Sequence, residues 1–189
     1  MTKQLHICVL LLLSANIMLS QNEENPPYLT IGYLGNFGIH PGGKIGLQLP
    51  LRSVALFSDE AVNHTLVLSP QAATFFRGRR EFSLFFQNEV GILRKREGKH
   101  VSHMLGIGLG YLGESIMLSE SVSLGSGEIT GNEREWTHFF LPTLNYEISS
   151  KLGESLRWYT KFISGPKLGQ REWEIALFLE AGIKVNLKK

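Results

Sequence analysis

Apolar residues recur at every second position along most of this chain. In the segment 173–187 the odd positions are Trp173, Ile175, Leu177, Leu179, Ala181, Ile183, Val185 and Leu187. The even positions between them are mostly charged or small, with Glu174, Glu180, Gly182, Lys184 and Asn186 among them. A period of two is the signature of a strand with unlike faces. A helix would spread both sets around its circumference. The pattern returns in Leu29, Ile31, Tyr33, Phe37 and Ile39, and again in Ile45, Leu47 and Leu49. Phe82, Leu84, Phe86, Val90 and Ile92 share one face of their stretch, which Phe85 and Asn88 interrupt as exceptions. Trp136, Phe140, Leu144, Tyr146 and Ile148 share a face of theirs. The stretches 62–75 and 156–164 alternate less cleanly.

Eight strands are predicted, at 28–39, 43–50, 62–76, 80–93, 100–112, 134–149, 155–164 and 171–187. Turn-forming residues connect them: HPGG, RGRR, RKREGK, KLGE and SGPKLGQ. The 113–133 connection is long and rich in Ser, Gly and Glu. The pattern leaves open whether the first two strands form a hairpin or one bent strand. No helical period and no domain boundary are found.

Long, regular, alternating strands fit two architectures. A soluble barrel or sandwich would turn its apolar faces inward. A membrane barrel turns them toward lipid. Trp136, Trp173, Tyr33, Tyr146 and Phe37 stand near strand ends on the apolar faces, where aromatic girdles occur. The opposite faces carry Lys44, Glu81, Glu89, Glu147, Lys161, Glu172, Glu174, Glu180 and Lys184. In a closed barrel of eight strands these would meet across a narrow interior and pair as a structural charge network. Side chains fill such an interior, so no open pore is expected. The expectation is an all-β, antiparallel up-and-down β-barrel of about eight strands, over 28–189.

The N-terminus adds a compartment. Lys3, then the mostly apolar run 7–19, then a polar stretch is the layout of a cleaved signal peptide, assigned to 1–20, with 21–27 as a linker. The single cysteine, Cys8, lies at the start of this segment with the apolar residues after it and not before it, which argues against a lipidation site, and its removal with 1–20 leaves the mature chain without thiol chemistry. Removal of 1–20 takes Lys3 from a chain of net charge +2. A balance near zero does not suit a nucleic-acid partner.

The segments YLGNFGIHPGGKIGLQLPL, LVLSPQAATFFRGRREFSLFFQNEVGILRKR, HMLGIGLGYL and FLEAGIKVNLK resemble small outer-membrane β-barrel proteins of the Bacteroidetes, mostly of unassigned function. The resemblance covers most of the mature chain and is one of pattern. It implies a barrel exported to the outer membrane of a Gram-negative bacterium.

Candidate chemistry is sparse. GLGYLG at 108–113 matches a dinucleotide-binding pattern, but alternation runs straight through it and no helix follows, so the glycines are read as inward positions of a curved strand. No cofactor is expected. His100 and His103 would face opposite sides of a strand, which argues against a metal site. His138 could act as a general base in a lipid hydrolase, but no local motif supports a triad, and an interfacial role is expected. The basic sets Arg77, Arg79, Arg80 and Arg94, Lys95, Arg96, Lys99 are read as solvated turns, with lipid headgroups or lipopolysaccharide as the alternative partner. A protein partner is expected at the 113–133 loop. The leading functional expectation is a non-enzymatic membrane scaffold. The alternatives are a lipid-modifying enzyme and a secreted, soluble barrel holding an apolar ligand.

Overall fold

The computed structural model describes residues 26–36, 40–55, 61–77, 81–117, 134–169 and 174–188. The expected signal peptide and most of the linker lie outside them. Eight strands follow one another: β1 (Tyr28–Asn36), β2 (Gly42–Ser53), β3 (Val62–Arg77), β4 (Glu81–Arg96), β5 (Val101–Met117), β6 (Arg134–Lys151), β7 (Leu156–Lys167) and β8 (Glu174–Asn186). Each pairs antiparallel with its neighbours in sequence, and β1 pairs with β8 to close the barrel. The barrel is up-and-down. Closure is the one sheet arrangement that removes unpaired edges altogether.

β1 and β2 pair from Tyr28–Gln48 to Tyr33–Gly43, so they form a hairpin and not one bent strand. Several strands run further than the sequence pattern predicts. β5 continues to Met117, so residues 113–117, expected in the long loop, are wall. β2 runs to Ser53 across a register shift between Pro50 and Arg52, a bulge that blurs its alternation. β4 reaches Arg96 and β7 reaches Lys167. The start of β1, the close of β8 and the turns at 97–100 and 152–155 mark one end of the barrel. The end of β5 and the start of β6 lie at the other.

Period two places the side chains. Leu105, Ile107 and Leu109 point outward, with Ile107 69% and Leu109 60% exposed. Gly106, Gly108 and Gly110 between them face inward and are buried. A Cβ at Gly106 would come 2.7 Å from Glu89 Oε1, and one at Gly108 would come 2.6 Å from Thr143 Oγ1. These glycines make room for the polar interior, and the stretch is strand throughout.

Candidate functional site

The interior is built in layers along the barrel axis. Near the end where β1 starts and β8 closes, Arg157 donates to Ser102 Oγ at 2.5 Å and to the His100 carbonyl at 3.4 Å, and Ser102 lies 3.2 Å from Ser149. Next comes Lys184, which bonds Glu147 and, at 2.9 Å, Gln48 Oε1. The middle layer holds two further lysines. Lys44 pairs with Glu180 and reaches Tyr159 Oη at 3.3 Å. Lys161 donates to Glu89 at 2.8 Å and lies 3.8 Å from Glu147. Both Lys44 and Lys184 stand over the Tyr159 ring, 5.0 and 5.2 Å from its centroid. Gln71, Gln87, Thr143 and Asn145 form a hydrogen-bonded tier beyond them.

An apolar plug closes the interior toward the opposite end. It is made of Leu34, Ala73, Phe75, Phe85, Leu112, Phe139, Leu141, Ile163, Ala176 and Phe178. Above it Lys167 bridges Glu114 at 3.0 Å and Glu174 at 3.2 Å.

The sequence-predicted network is thus brought together in large part. Lys44, Glu89, Glu147, Lys161, Glu180 and Lys184 are all buried and mutually paired. Three lysines meet three glutamates, so the charges cancel. A buried ion survives only with such pairing and added hydrogen bonds. Glu174 does not belong to this centre; it sits exposed at the rim with Lys167. Glu81 is half-buried at the start of β4, remote from the middle layer, and Glu172 lies outside the described residues. Sequence reasoning missed Tyr159, the glutamine tier, Arg157 and Lys167. Their inward parity was the available signal.

The outer face has its own order on β5 and β6. Tyr111 Oη lies 2.6 Å from His138 Nδ1, with the rings stacked. Toward the other end, His103 Nδ1 lies 2.9 Å from Tyr146 Oη, again stacked. The two Tyr–His pairs stand about eight residues apart, roughly 26 Å along a strand at about 3.3 Å per residue. At the usual tilt of about 40° that is on the order of 20 Å along the axis. Between the pairs the outer face carries only apolar side chains: Leu105, Ile107, Leu109, Phe140, Pro142 and Leu144. Trp136 extends the upper row, stacking on His138 and meeting Phe82 edge-on. Trp173 and Phe37, expected in such rows, lie outside the described residues.

His138 is therefore on the outer face, as its parity predicts, and its ring nitrogen is engaged by a phenol. His103 also faces outward, while His100 is on the turn before β5. No group of three metal-ligating side chains occurs among the described residues. Arg94, Arg96 and Lys99 lie at the end with the 97–100 turn, where Arg96 and Lys99 are exposed. Arg79, Arg80 and the Arg77 side chain lie outside what the structure describes.

No family model and no curated protein matches the chain. The solved structures that resemble it include the following two. The outer membrane enzyme PagL is 14% identical, with a TM-score of 0.50, and the match covers 86% of this chain and 100% of that one. Neisserial surface protein A is 9% identical, with a TM-score of 0.47, over 85% of this chain and 94% of the other. Both are small outer-membrane barrels of eight strands. The likeness to PagL establishes the fold: an eight-stranded barrel of the outer-membrane architecture.

Proposed function

We propose that this chain is a non-enzymatic outer-membrane protein of a Gram-negative bacterium, exported through its N-terminal segment. It acts as a membrane scaffold whose loops, chiefly that after β5, meet external partners. The observation that carries this reading is the outer belt of β5 and β6. Large apolar side chains are exposed between two Tyr–His pairs whose axial spacing, on the order of 20 Å, falls within the roughly 25 Å height of the apolar band of such barrels. Amphipathic rings favour the interfaces on either side of hydrocarbon. The outward direction of Ile107 and Leu109, and the charged, filled interior, speak against a soluble carrier of an apolar ligand. The engagement of His138 by Tyr111 supports an interfacial anchor over a general base. Lipid or lipopolysaccharide is the natural partner of the belt.

The test is fractionation of the expressed chain, followed by SDS gels of boiled and unboiled samples. Recovery with the outer membrane, and a mobility shift on boiling, are expected. A soluble protein without the shift would overturn the reading. A lipid product formed by the native protein and lost in His138→Ala would replace the scaffold with an enzyme.

A further inference from the structure

The buried charges do not balance at the end where β1 starts. Among the described residues below the apolar plug, three buried lysines face three buried glutamates, and Arg157 is left over. Arg157 is only 8% exposed. Its bonds run from Nη2 to two neutral oxygens, the His100 carbonyl and Ser102 Oγ. The β7–β8 register sets it opposite Lys184, which is also inward and buried, and like charges so placed are destabilising. Glu147 does not relieve this, because Lys184 and Lys161 already share it. A guanidinium does not shed its proton in proteins, so the cost of burying its charge falls on the fold unless an anion offsets it.

A cavity of about 20 Å³ opens beside Arg157. Seven of the eight strands, β1 to β7, contribute to its walls, which places it near the barrel axis. Arg157, Lys95, Gln48, Ser102 and Ser149 line it, and no carboxylate does among the described residues. The polar groups turned toward it are donors. Gln48 Oε1 accepts from Lys184, and an ammonium can bond only the oxygen of an amide, so the orientation of Gln48 is fixed. Its Nε2 then reaches only Met104 Sδ, a weak acceptor, at 3.4 Å. With Ser102 donating to Ser149, the Ser149 hydroxyl keeps its own hydrogen for the cavity.

The size of the cavity selects among acceptors. A single water needs roughly 10–15 Å³, so there is room for one particle of about that size and not for a phosphate or a headgroup. A water would accept the hydrogen bonds and leave the charge. A halide ion does both.

We propose that this cavity binds one small monovalent inorganic anion, of the size of chloride, held by the Arg157 guanidinium with the Gln48 amide as a second donor. The ion completes the charge balance that the lysine–glutamate layers leave short by one, and it couples the stability of the barrel to halide concentration. The site lies inside the wall, so it stands whether the outer belt faces lipid or water.

Urea unfolding of the vesicle-inserted chain tests this, with sodium gluconate replaced stepwise by sodium chloride at constant ionic strength. Gluconate is too large for the cavity. Chloride should raise the urea midpoint, and each tenfold rise in chloride above its dissociation constant should multiply the folding constant about tenfold. Arg157→Met should lose this dependence. Crystals of the native chain grown in bromide give a second reading that needs no variant to fold. An anomalous peak is expected in contact with the Arg157 guanidinium and the Gln48 amide. Superimposable titrations in the two salts with no bromide peak mean that water fills the cavity, and overturn the site. A peak without any halide effect on stability marks an adventitious ion only, and a halide effect that persists in Arg157→Met lies elsewhere; either overturns it. Glu23 and Glu24 precede Pro26, which also lines the cavity. A halide effect absent from the native chain and gained in Glu23→Gln with Glu24→Gln would replace the ion with a carboxylate of the chain itself.

Discussion

Lys161 stands between two carboxylates, 2.8 Å from Glu89 and 3.8 Å from Glu147, with all three side chains almost wholly buried. Its loss would leave two anions facing each other out of water. Removing one partner of a buried pair costs about 3–5 kcal/mol. Lys161→Met should therefore lower unfolding stability by about that amount in denaturant titrations of the vesicle-inserted protein. The Lys44–Glu180 pair allows a stricter test. Lys44→Met or Glu180→Leu alone should each be strongly destabilising, while the two together should cost less than either, because no uncompensated charge remains. A double variant worse than both singles would show that the pair stabilises beyond charge balance. Glycine parity is a third residue-scale constraint. Gly106→Val drives a side chain into Glu89 Oε1, 2.7 Å from the first added carbon, and overpacking of this kind costs about 1–3 kcal/mol. The six central charges were legible in the sequence because each has an outward apolar residue on at least one side, as Val90 beside Glu89 and Phe162 beside Lys161. Tyr159 was not, because its stretch reads Trp158, Tyr159, Thr160, Lys161, Phe162, Ile163, and both faces carry apolar bulk.

That ambiguity has an origin in the strands themselves. Where a strand crosses the apolar plug, its inward positions are as apolar as its outward ones. Phe75 on β3, Phe139 and Leu141 on β6 and Ile163 on β7 are all inward and buried. Alternation in hydrophobicity fades at those levels even though alternation in direction persists. For this reason 62–75 and 156–164 alternate poorly, and the pattern ends β7 too early. The end of β5 is hidden differently. Gly113 and Ser115 resemble loop residues, but Gly113 lies beneath Tyr111, and Ser115, only 2% exposed, pairs across to Trp136. Small residues there seat the aromatic row. The outer face of β5 gives the sharpest element-scale prediction. Ile107 is 69% exposed at the middle of the belt, and Val101 is 42% exposed at the strand's end near the 97–100 turn. In water, Arg at either site would be nearly neutral. Facing lipid, Ile107→Arg should cost about 2–4 kcal/mol and Val101→Arg about 0–1 kcal/mol. Reversible unfolding in lipid vesicles measures both, and equal small effects would remove the belt from the membrane.

Closure, filling and charge balance act together at the scale of the whole molecule. A barrel of eight strands encloses a space that side chains can fill. Here the filling is graded, from Arg157 and the serines, through neutralised lysine–glutamate layers, to a plug of ten buried apolar residues. An ion entering from the Arg157 end would meet that guanidinium, held by neutral oxygens, and then lysines and glutamates already paired to one another. It would then meet the plug, where nothing replaces its hydration. Passing the pairs and passing the plug are both uphill in a low-dielectric interior. The inserted chain should therefore leave a planar bilayer electrically silent at moderate voltage. Removing charge alone should not change this. Lys44→Met with Glu180→Leu leaves the plug in place and should remain silent. Phe85→Ala with Phe178→Ala removes two rings packed 5.2 Å apart at the heart of the plug, and is the variant most able to admit water. If the wild-type barrel conducts steadily while the variants make no difference, the layered interior is not what closes it. If only the phenylalanine pair conducts, the apolar tier is the seal, and the charged tiers below it serve to hold the strands in register.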